Sequence, residues 1–283
     1  MSYLHHIRTC NDHDLSGFRP FHVGADRVGW VRHELAGRLS RFPDVFVVEP
    51  DRVSLLAALG DFDSRSEALA RVLDVLVAEG AVPPLRREDY PVVTSWGQPP
   101  LLKIDRAAVA HFGVRSFGLH INGFVRRADG LHLWIGKRAM DRGVAPGKLD
   151  NMIAGGQPIG LSLDENLVKE AQEEAGLSAE AARRAVPVSV VSYLMENSAG
   201  LKPDTLFVYD LEVGEDFVPR NNDGEVEYFM LLPLDEVARL VRDTEDFKFN
   251  VSLVIIDFLI RHSYLKPEEP DYPDLAIGLR RPL

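Results

Sequence analysis

One stretch, Gly155 to Leu177 (GGQPIGLSLDENLVKEAQEEAGL), constrains the fold of this chain more than any other. It opens on a pair of glycines, carries the apolar periodicity of a single helix, and closes on Gly176. Ser162 and Glu165 have the S-x-x-E spacing of a capping box, which predicts a helix starting near Leu163. Gly176 supplies a residue that tolerates positive φ where that helix must stop. Leu163, Leu167, Ala171 and Ala175 recur every four residues and form the expected buried stripe. Glu170, Glu173 and Glu174 relate as i, i+3 and i+4, which places them together on the opposite part of the helix surface.

Three carboxylates so close repel one another, and Lys169 is the only cation in the helix. Like-charge neighbours at this spacing cost roughly 0.2–0.5 kcal/mol each in an isolated helix. A divalent cation reverses the sign of that term. Mg²⁺ takes hard oxygen ligands, typically one or two carboxylates completed by water and substrate phosphate. The alternative is a solvated acidic face, the ordinary fate of a Glu-rich helix. The glycine turn ahead of the helix favours the metal.

The stretch resembles the box of Nudix hydrolases, G-x5-E-x7-R-E-U-x-E-E-x-G-U with U aliphatic. Gly155, Glu170, Glu173, Glu174, Gly176 and Leu177 match, whereas Leu161 stands for the first Glu and Lys169 for the Arg. Lys keeps the charge but loses the planar bidentate fork. Further segments extend the likeness: FGVRSFGLHINGFV, LWIGKRAMD, PGKLDNMIAGG, DGEVEYFMLLPLDEV and FKFNVSLVIIDFLIRH. Together they resemble a Nudix subgroup with an extra N-terminal domain, which includes plant Nudix proteins and the Nudix part of fungal thiamine pyrophosphokinase. That subgroup's own box tends to lack the first Glu and to carry Lys. The resemblance implies an α+β chain: a Nudix α/β/α sandwich with a mixed sheet over residues 113–283, preceded by a smaller α+β domain over 1–112. It also implies Mg²⁺-dependent cleavage of a diphosphate linkage, with Mn²⁺ as a substitute. For the subgroup, the implied substrates are thiamine diphosphate and its oxidised relatives, cut to the monophosphate.

Composition limits what such a box can belong to. At 283 residues the chain has room for about two domains. Its 46% hydrophobic and 27% charged content is ordinary for a globular protein. A net charge of −11 argues against a nucleic-acid-binding surface and against adhesion to anionic membranes. A phosphate-bearing small molecule is then the expected partner, and it needs local help from metal ions or a few placed cations. The single cysteine, Cys10, rules out an internal disulfide and suits a reducing cytoplasm. No apolar run is long enough to span a bilayer, and the start lacks a signal-peptide core. Monomer and homodimer are both left open.

Along the chain, periodicity predicts a short helix from Tyr3, a longer one over Ala25–Phe42, and a third over Arg65–Glu79. Phe46–Val48, Tyr90–Ser95 and Leu101–Ile104 read as strands. Beyond Arg115 the pattern turns to strands: Ser116–Arg126 and Leu131–Gly136 form a hairpin around Asp129-Gly130. Val186–Glu196, Thr205–Leu211 and Gly224–Leu232 follow. Leu234–Arg242 and Val251–His262 read as helices, and the tail from Pro267 as irregular. Strands, one helix, more strands and terminal helices predict a mixed sheet flanked by helices.

The chemistry this supports is water attack on phosphorus, which needs charge neutralisation and alignment more than covalent help. Glu170 and Glu174 are the first candidates for metal ligands and Glu173 the next, and the resemblance adds the carbonyl of Gly155. Lys169 would orient or neutralise a carboxylate. Lys137, Arg138 and Gly156 are the candidates for contacting phosphate, although strand-end cations are as often simply solvated. Glu225, Glu227 and Glu173 are the candidates for general base. Phe117, Phe124 and Tyr193 can stack on a heteroaromatic ring, but at strand spacing they are more often core. A nucleotide or nucleotide-sugar pyrophosphatase would use the same box. An isopentenyl diphosphate isomerase needs a cysteine that the second half lacks, and a non-catalytic binding domain need not keep the three glutamates.

Overall fold

A computed structural model describes residues 2–281. Helix α1 (Tyr3–Thr9) leads into strands β1 (Phe18–Val23) and β2 (Asp26–Arg32), helix α2 (His33–Leu39), and strands β3 (Phe46–Val48) and β4 (Val53–Leu55). The long helix α3 (Phe62–Ala78) and a hairpin of β5 (Asp89–Val92) and β6 (Leu102–Asp105) complete this part. The four strands β1–β4 make a sheet in the order β2-β1-β4-β3. Asp61 and Ser64 cap α3 reciprocally, and its Leu69, Val72, Leu73 and Leu76 pack into a cluster with Phe21, Phe46 and Phe112. Each such side chain contributes about 1.5–3 kcal/mol of burial.

The expected helix over Ala25–Phe42 is a strand followed by two turns of helix. Val28 and Val31 are both buried in the strand as they would be in a helix, because Val28 is the extra residue of a bulge between the pairs Phe21–Gly29 and His22–Arg27. Pairing with β1 decides it, because a β-rich segment takes whichever geometry its neighbour offers. Gly29 is part of the reason: a Cβ there would overlap the carbonyl oxygen of Phe112, and the Trp30 amide donates to that same oxygen at 2.9 Å.

The second part is built on a seven-stranded mixed sheet. Its strands are β7 (Ser116–Arg127), β8 (Gly130–Arg138), β9 (Leu149–Asn151), β10 (Ile153–Gly156), β11 (Val186–Asn197), β12 (Gly200–Glu212) and β13 (Val226–Pro233). The main order is β11-β12-β7-β8-β13, with β10 paired to β7 and β9 to β8. Among the described strand pairs of this sheet, only β12 and β7 run parallel. The β7–β8 loop is Ala128-Asp129, with Gly130 already paired to Arg127, one residue short of the expected turn. Helix α4 (Leu163–Ala175), followed by the short α5 (Ala179–Ala182), covers one face through Leu167, Ala171 and Ala175 on Leu119, Ile121 and Ile153. Helices α6 (Leu234–Asp243), α7 (Phe249–Arg261) and α8 (Tyr272–Gly278) cover the other. The result is α+β, a mixed sheet between two helical layers.

Two placements differ from the pattern of the sequence. The tail from Pro267 is not irregular throughout, because α8 starts with proline in its first turn and anchors through Leu275. Helix α1 packs on the far end of the chain: Ile7 and Cys10 lie in the same cluster as α7, and the Tyr3 hydroxyl donates to the Ala238 carbonyl at 3.1 Å.

Candidate active site

Helix α4 is held where the sequence pattern puts it. Ser162 and Glu165 cap each other's backbone amides, and Gly176 takes φ 67° at the far end. Its carboxylate face is not a solvated one. Glu170 and Glu174 are buried, and only Glu173 stands at the surface. The reason lies on the neighbouring strand. Asn166, Glu170 and Glu174, spaced i, i+4 and i+8, run along the edge of β10 that has no strand partner. Asn166 Nδ2 donates to the Gly156 carbonyl at 2.8 Å, and the Ala154 amide donates to Glu174 Oε2 at 2.7 Å. Between them, a Cβ on Gly155 would overlap the carboxyl of Glu170. The helix thus finishes the hydrogen bonding of a strand edge that otherwise stays unpaired.

This geometry corrects the backbone donor expected at Gly155. Its carbonyl oxygen lies over Gly118 of β7, 2.9 Å from where a Cβ on that residue would sit. Amide and carbonyl of one strand residue point to the same side. The carbonyl that faces Glu174 therefore belongs to Ala154, whose amide already does.

Burial pushes the Glu174 carboxyl well above the usual carboxylate range, and the neighbouring charge of Glu170 pushes it further. Burial also raises Glu170, against the pull of Lys169 and, more weakly, of Arg106. Lys169 bonds Glu170 at 3.0 Å and Glu173 at 2.7 Å, so it neutralises two carboxylates, and among the described residues no cation pairs with Glu174. Among the described residues no group of three His, Cys, Asp or Glu side chains converges as a ready metal cage. Two buried carboxylates plus a backbone oxygen nevertheless suit Mg²⁺ or Mn²⁺, hard ions that complete their shell with water and phosphate. The burial of both carboxyls is the observation behind that fit: it disfavours both charges, and a cation between them offsets the cost.

A pH dependence follows from these carboxyls. Unfolded, both glutamates titrate near about 4.3; folded, they keep their protons to higher pH. Their stabilising contribution is complete below the unfolded value and is lost as pH rises through the folded one. In metal-free protein, the melting temperature of wild type minus that of Glu174→Gln should therefore fall as pH is raised above about 4.3, and saturating Mg²⁺ should flatten the difference. A difference that stays constant with pH in metal-free protein would contradict the burial described.

The remaining candidates scatter. Arg138 is buried and spent on the fold: it bonds Asp150 at 2.7 Å and the carbonyls of Val144 and Ala145 at 3.1–3.3 Å. Its burial and its pairing with Asp150 commit it to the fold rather than to phosphate. Lys137 shares the face of Leu133 and Ile135, which pack on α7, so strand alternation turns it away from α4. Gly156 does adjoin the site, pressed beneath the hydroxyl of Tyr90. Glu225 precedes β13, pairs with Arg142 at 2.5 Å, and is near enough for its charge to act on Glu174. Glu227 is the extra residue of the bulge between Val226 and Tyr228 and is exposed. Of the aromatics, Phe117 lies on the α4 face under Trp96, 4.8 Å between ring centroids, while Phe124 and Tyr193 are core on the opposite face. His120 is a satisfied core histidine, bonded to Asn151 at 2.8 Å and held down to about 4 by burial.

Sequence reasoning missed Asn166, Tyr90, Trp96 and Arg106. The i, i+4, i+8 run of Asn166, Glu170 and Glu174 was readable as a second stripe beside the apolar one. The other three come from the first part of the chain, where no local pattern marks them.

A family profile described as "Domain of unknown function (DUF4743)" matches residues 2–116. The chain is similar to Nudix hydrolase 20, chloroplastic, of Arabidopsis thaliana, with 43% identity over 98% of this chain and 77% of that one. It is equally similar to Nudix hydrolase 24, chloroplastic, of the same plant, with 43% identity over 98% and 77%. Among solved structures, the NUDIX domain of Shewanella oneidensis NrtR complexed with ADP ribose covers 53% of this chain and 90% of its own, at 13% identity and a TM-score of 0.42. The class is a hydrolase acting on phosphoric anhydrides. The chain belongs to the Nudix hydrolase family.

Proposed function

We propose that this protein is a Mg²⁺-dependent Nudix hydrolase that cleaves a small-molecule diphosphate, with water attacking phosphorus and a phosphate group leaving. The observation that carries this is the buried pair Glu170 and Glu174, aimed at the free edge of β10. Those two carboxylates, with the Ala154 carbonyl, would hold the metal, and Mn²⁺ fits the same oxygens. A divalent ion there supplies charge neutralisation on the phosphoryl oxygens and a more acidic water. Lys169 fixes Glu170 and Glu173 in position through its two bonds. Glu225 is the better placed of the outlying bases, and Glu173 is the nearer alternative.

Within this class we favour thiamine diphosphate and its oxidised relatives, released as the monophosphate. The resemblance to the subgroup containing the fungal thiamine pyrophosphokinase Nudix part supports that reading. So does a half-exposed Trp96, packed at a tilt against Phe117 and Phe207 on the α4 side of the sheet, as a surface for a heteroaromatic ring. We also place a boundary near residues 112 and 113. The separate cluster running from Phe21 to Val114 supports it, although α1 belongs with the second unit. The lone, buried Cys10 accords with a reducing cytoplasm, and no described helix is long and apolar enough to cross a membrane.

The test is a hydrolysis panel with and without Mg²⁺ or Mn²⁺: thiamine diphosphate and its oxo and oxy forms, ADP-ribose, NADH, coenzyme A and nucleoside triphosphates. Metal-dependent release of thiamine monophosphate, faster than any nucleotide product, is expected. Faster turnover of ADP-ribose would replace the substrate with a nucleotide sugar. No metal-dependent turnover of any compound would overturn the hydrolase reading for this chain.

A further inference from the structure

A diphosphate is an anion, and the carboxylate pair that would bind its metal is anionic too. The cations nearest that pair in sequence are committed: Lys169 to Glu170 and Glu173, Arg138 to Asp150. Lys137 faces the other side of the sheet. A further cation on the Glu170 side comes from the first part of the chain. β5 lies over the entry to α4, where the Ile159 amide donates to the Asp89 carbonyl at 2.9 Å. Tyr90 of β5 sets its hydroxyl against Gly156, the residue next to the one that Glu170 covers. The guanidinium of Arg106 sits 5.8 Å from the centre of the Tyr90 ring. The side chain of Arg106 is half exposed, and its one ion pair, with Glu88 at 2.7 Å, is at the surface and exchangeable.

The backbone that carries Arg106 is held unusually firmly. Buried Asp105 accepts from the amides of Arg86 at 3.0 Å, Arg87 at 2.8 Å and Ala107 at 2.8 Å. One carboxylate thus ties the 3-10 turn bearing Arg106 to the loop bearing Arg86 and Arg87. Arg87 adopts φ 58°, a left-handed conformation that a non-glycine residue keeps only where its surroundings enforce it. Arg86 in turn lies against Gly143, in the long loop whose Arg142 pairs with Glu225. A purely structural role would not require a charged, half-exposed tip on so firmly fixed a turn.

We propose that Arg106, delivered by the N-terminal part of the chain, is a substrate-binding residue that grips the diphosphate at the Glu170–Glu174 site and exchanges Glu88 for phosphate when substrate enters. This rests on the hydrolase reading above. It gives the N-terminal part a direct role at the site: without it the carboxylates can hold a metal, but the phosphate lacks its guanidinium. A planar guanidinium suits phosphate because it donates two parallel hydrogen bonds.

The test uses the full chain and inorganic pyrophosphate, followed by titration calorimetry with and without Mg²⁺, beside steady-state kinetics on whichever diphosphate the panel identifies. Arg106→Gln should weaken pyrophosphate binding and raise KM by about ten- to a hundredfold, as losing a charge-assisted hydrogen bond does. Its kcat and melting temperature should change far less. Arg106→Lys should recover only part of the binding, because the point charge remains but the fork is lost. Glu88→Gln should bind pyrophosphate as tightly as wild type or tighter. Unchanged binding in Arg106→Gln, failure of the wild type to bind pyrophosphate, or equal weakening in Glu88→Gln and Arg106→Gln would each overturn the proposal. Glu174→Gln separates the two claims: if it abolishes turnover while Arg106→Gln binds normally, the hydrolase reading stands and only the role of Arg106 falls.

Discussion

Glu174→Gln is expected to lower kcat by about 10²–10³ while leaving the fold intact, the scale of losing a major electrostatic stabiliser. Glutamine keeps the shape and can still accept from the Ala154 amide, the bond that fixes Glu174 at 2.7 Å. What it removes is a negative charge that burial already makes costly. The two consequences should therefore separate. Metal-free Glu174→Gln should melt at or above the wild-type temperature near neutral pH, because the repulsion with Glu170 is gone. The rise in melting temperature that Mg²⁺ gives the wild type should shrink in the variant. Kinetics and melting curves on the same samples check both. A variant with wild-type kcat in saturating Mg²⁺ would remove Glu174 from the metal site.

Gly155→Ala is the second large effect, and it acts without touching any charge. The backbone at Gly155 does not have positive φ, so alanine is conformationally allowed. The obstacle is steric: the new methyl would overlap the carboxyl of Glu170, with Oε2 only 2.5 Å away. β10 cannot yield, since β7 holds one edge and α4 the other. Glu170 must swing out of place, and a misplacement of about 1 Å at a reacting centre can cost on the order of 10²-fold in rate. Overpacking adds about 1–3 kcal/mol of destabilisation. Gly37→Ala, in a helix with open space around it, should leave activity alone. Gly155→Ala with normal kcat/KM would mean that Glu170 need not occupy its observed position.

The capping pair, the glycine stop and the apolar stripe of α4 at Leu167, Ala171 and Ala175 were legible because each is a local rule, satisfied within one or two turns, whereas Leu163, expected in the same stripe, is only half-buried. The hairpin of β7 and β8 and the helices α6 and α7 were legible for the same reason, since their periodicity is long and regular. Segment 25–42 was misread because Val28, Val31, Leu35 and Leu39 fit a helix, and only pairing with β1 makes half of it a strand. Arg138 looked like a phosphate contact because a strand-end cation is usually solvated. Its partner Asp150 lies twelve residues on, brought alongside by β9.

By itself the sequence determined that a capped, carboxylate-rich helix follows a glycine turn, and its resemblance to the Nudix box implied a phosphoric-anhydride hydrolase. Spacing along one helix is enough for the clustering of the carboxylates, because side chains three and four residues apart must be neighbours. Only the tertiary structure decided which face those carboxylates turn to. The free edge of β10 needs hydrogen-bond partners, and Asn166 and Glu174 supply them, which carries Glu170 and Glu174 out of water. Tertiary structure alone also set Tyr90 against Gly156 and Arg106 near the Tyr90 ring, for contacts across so many residues depend on packing between separate elements and leave no periodic trace in the chain.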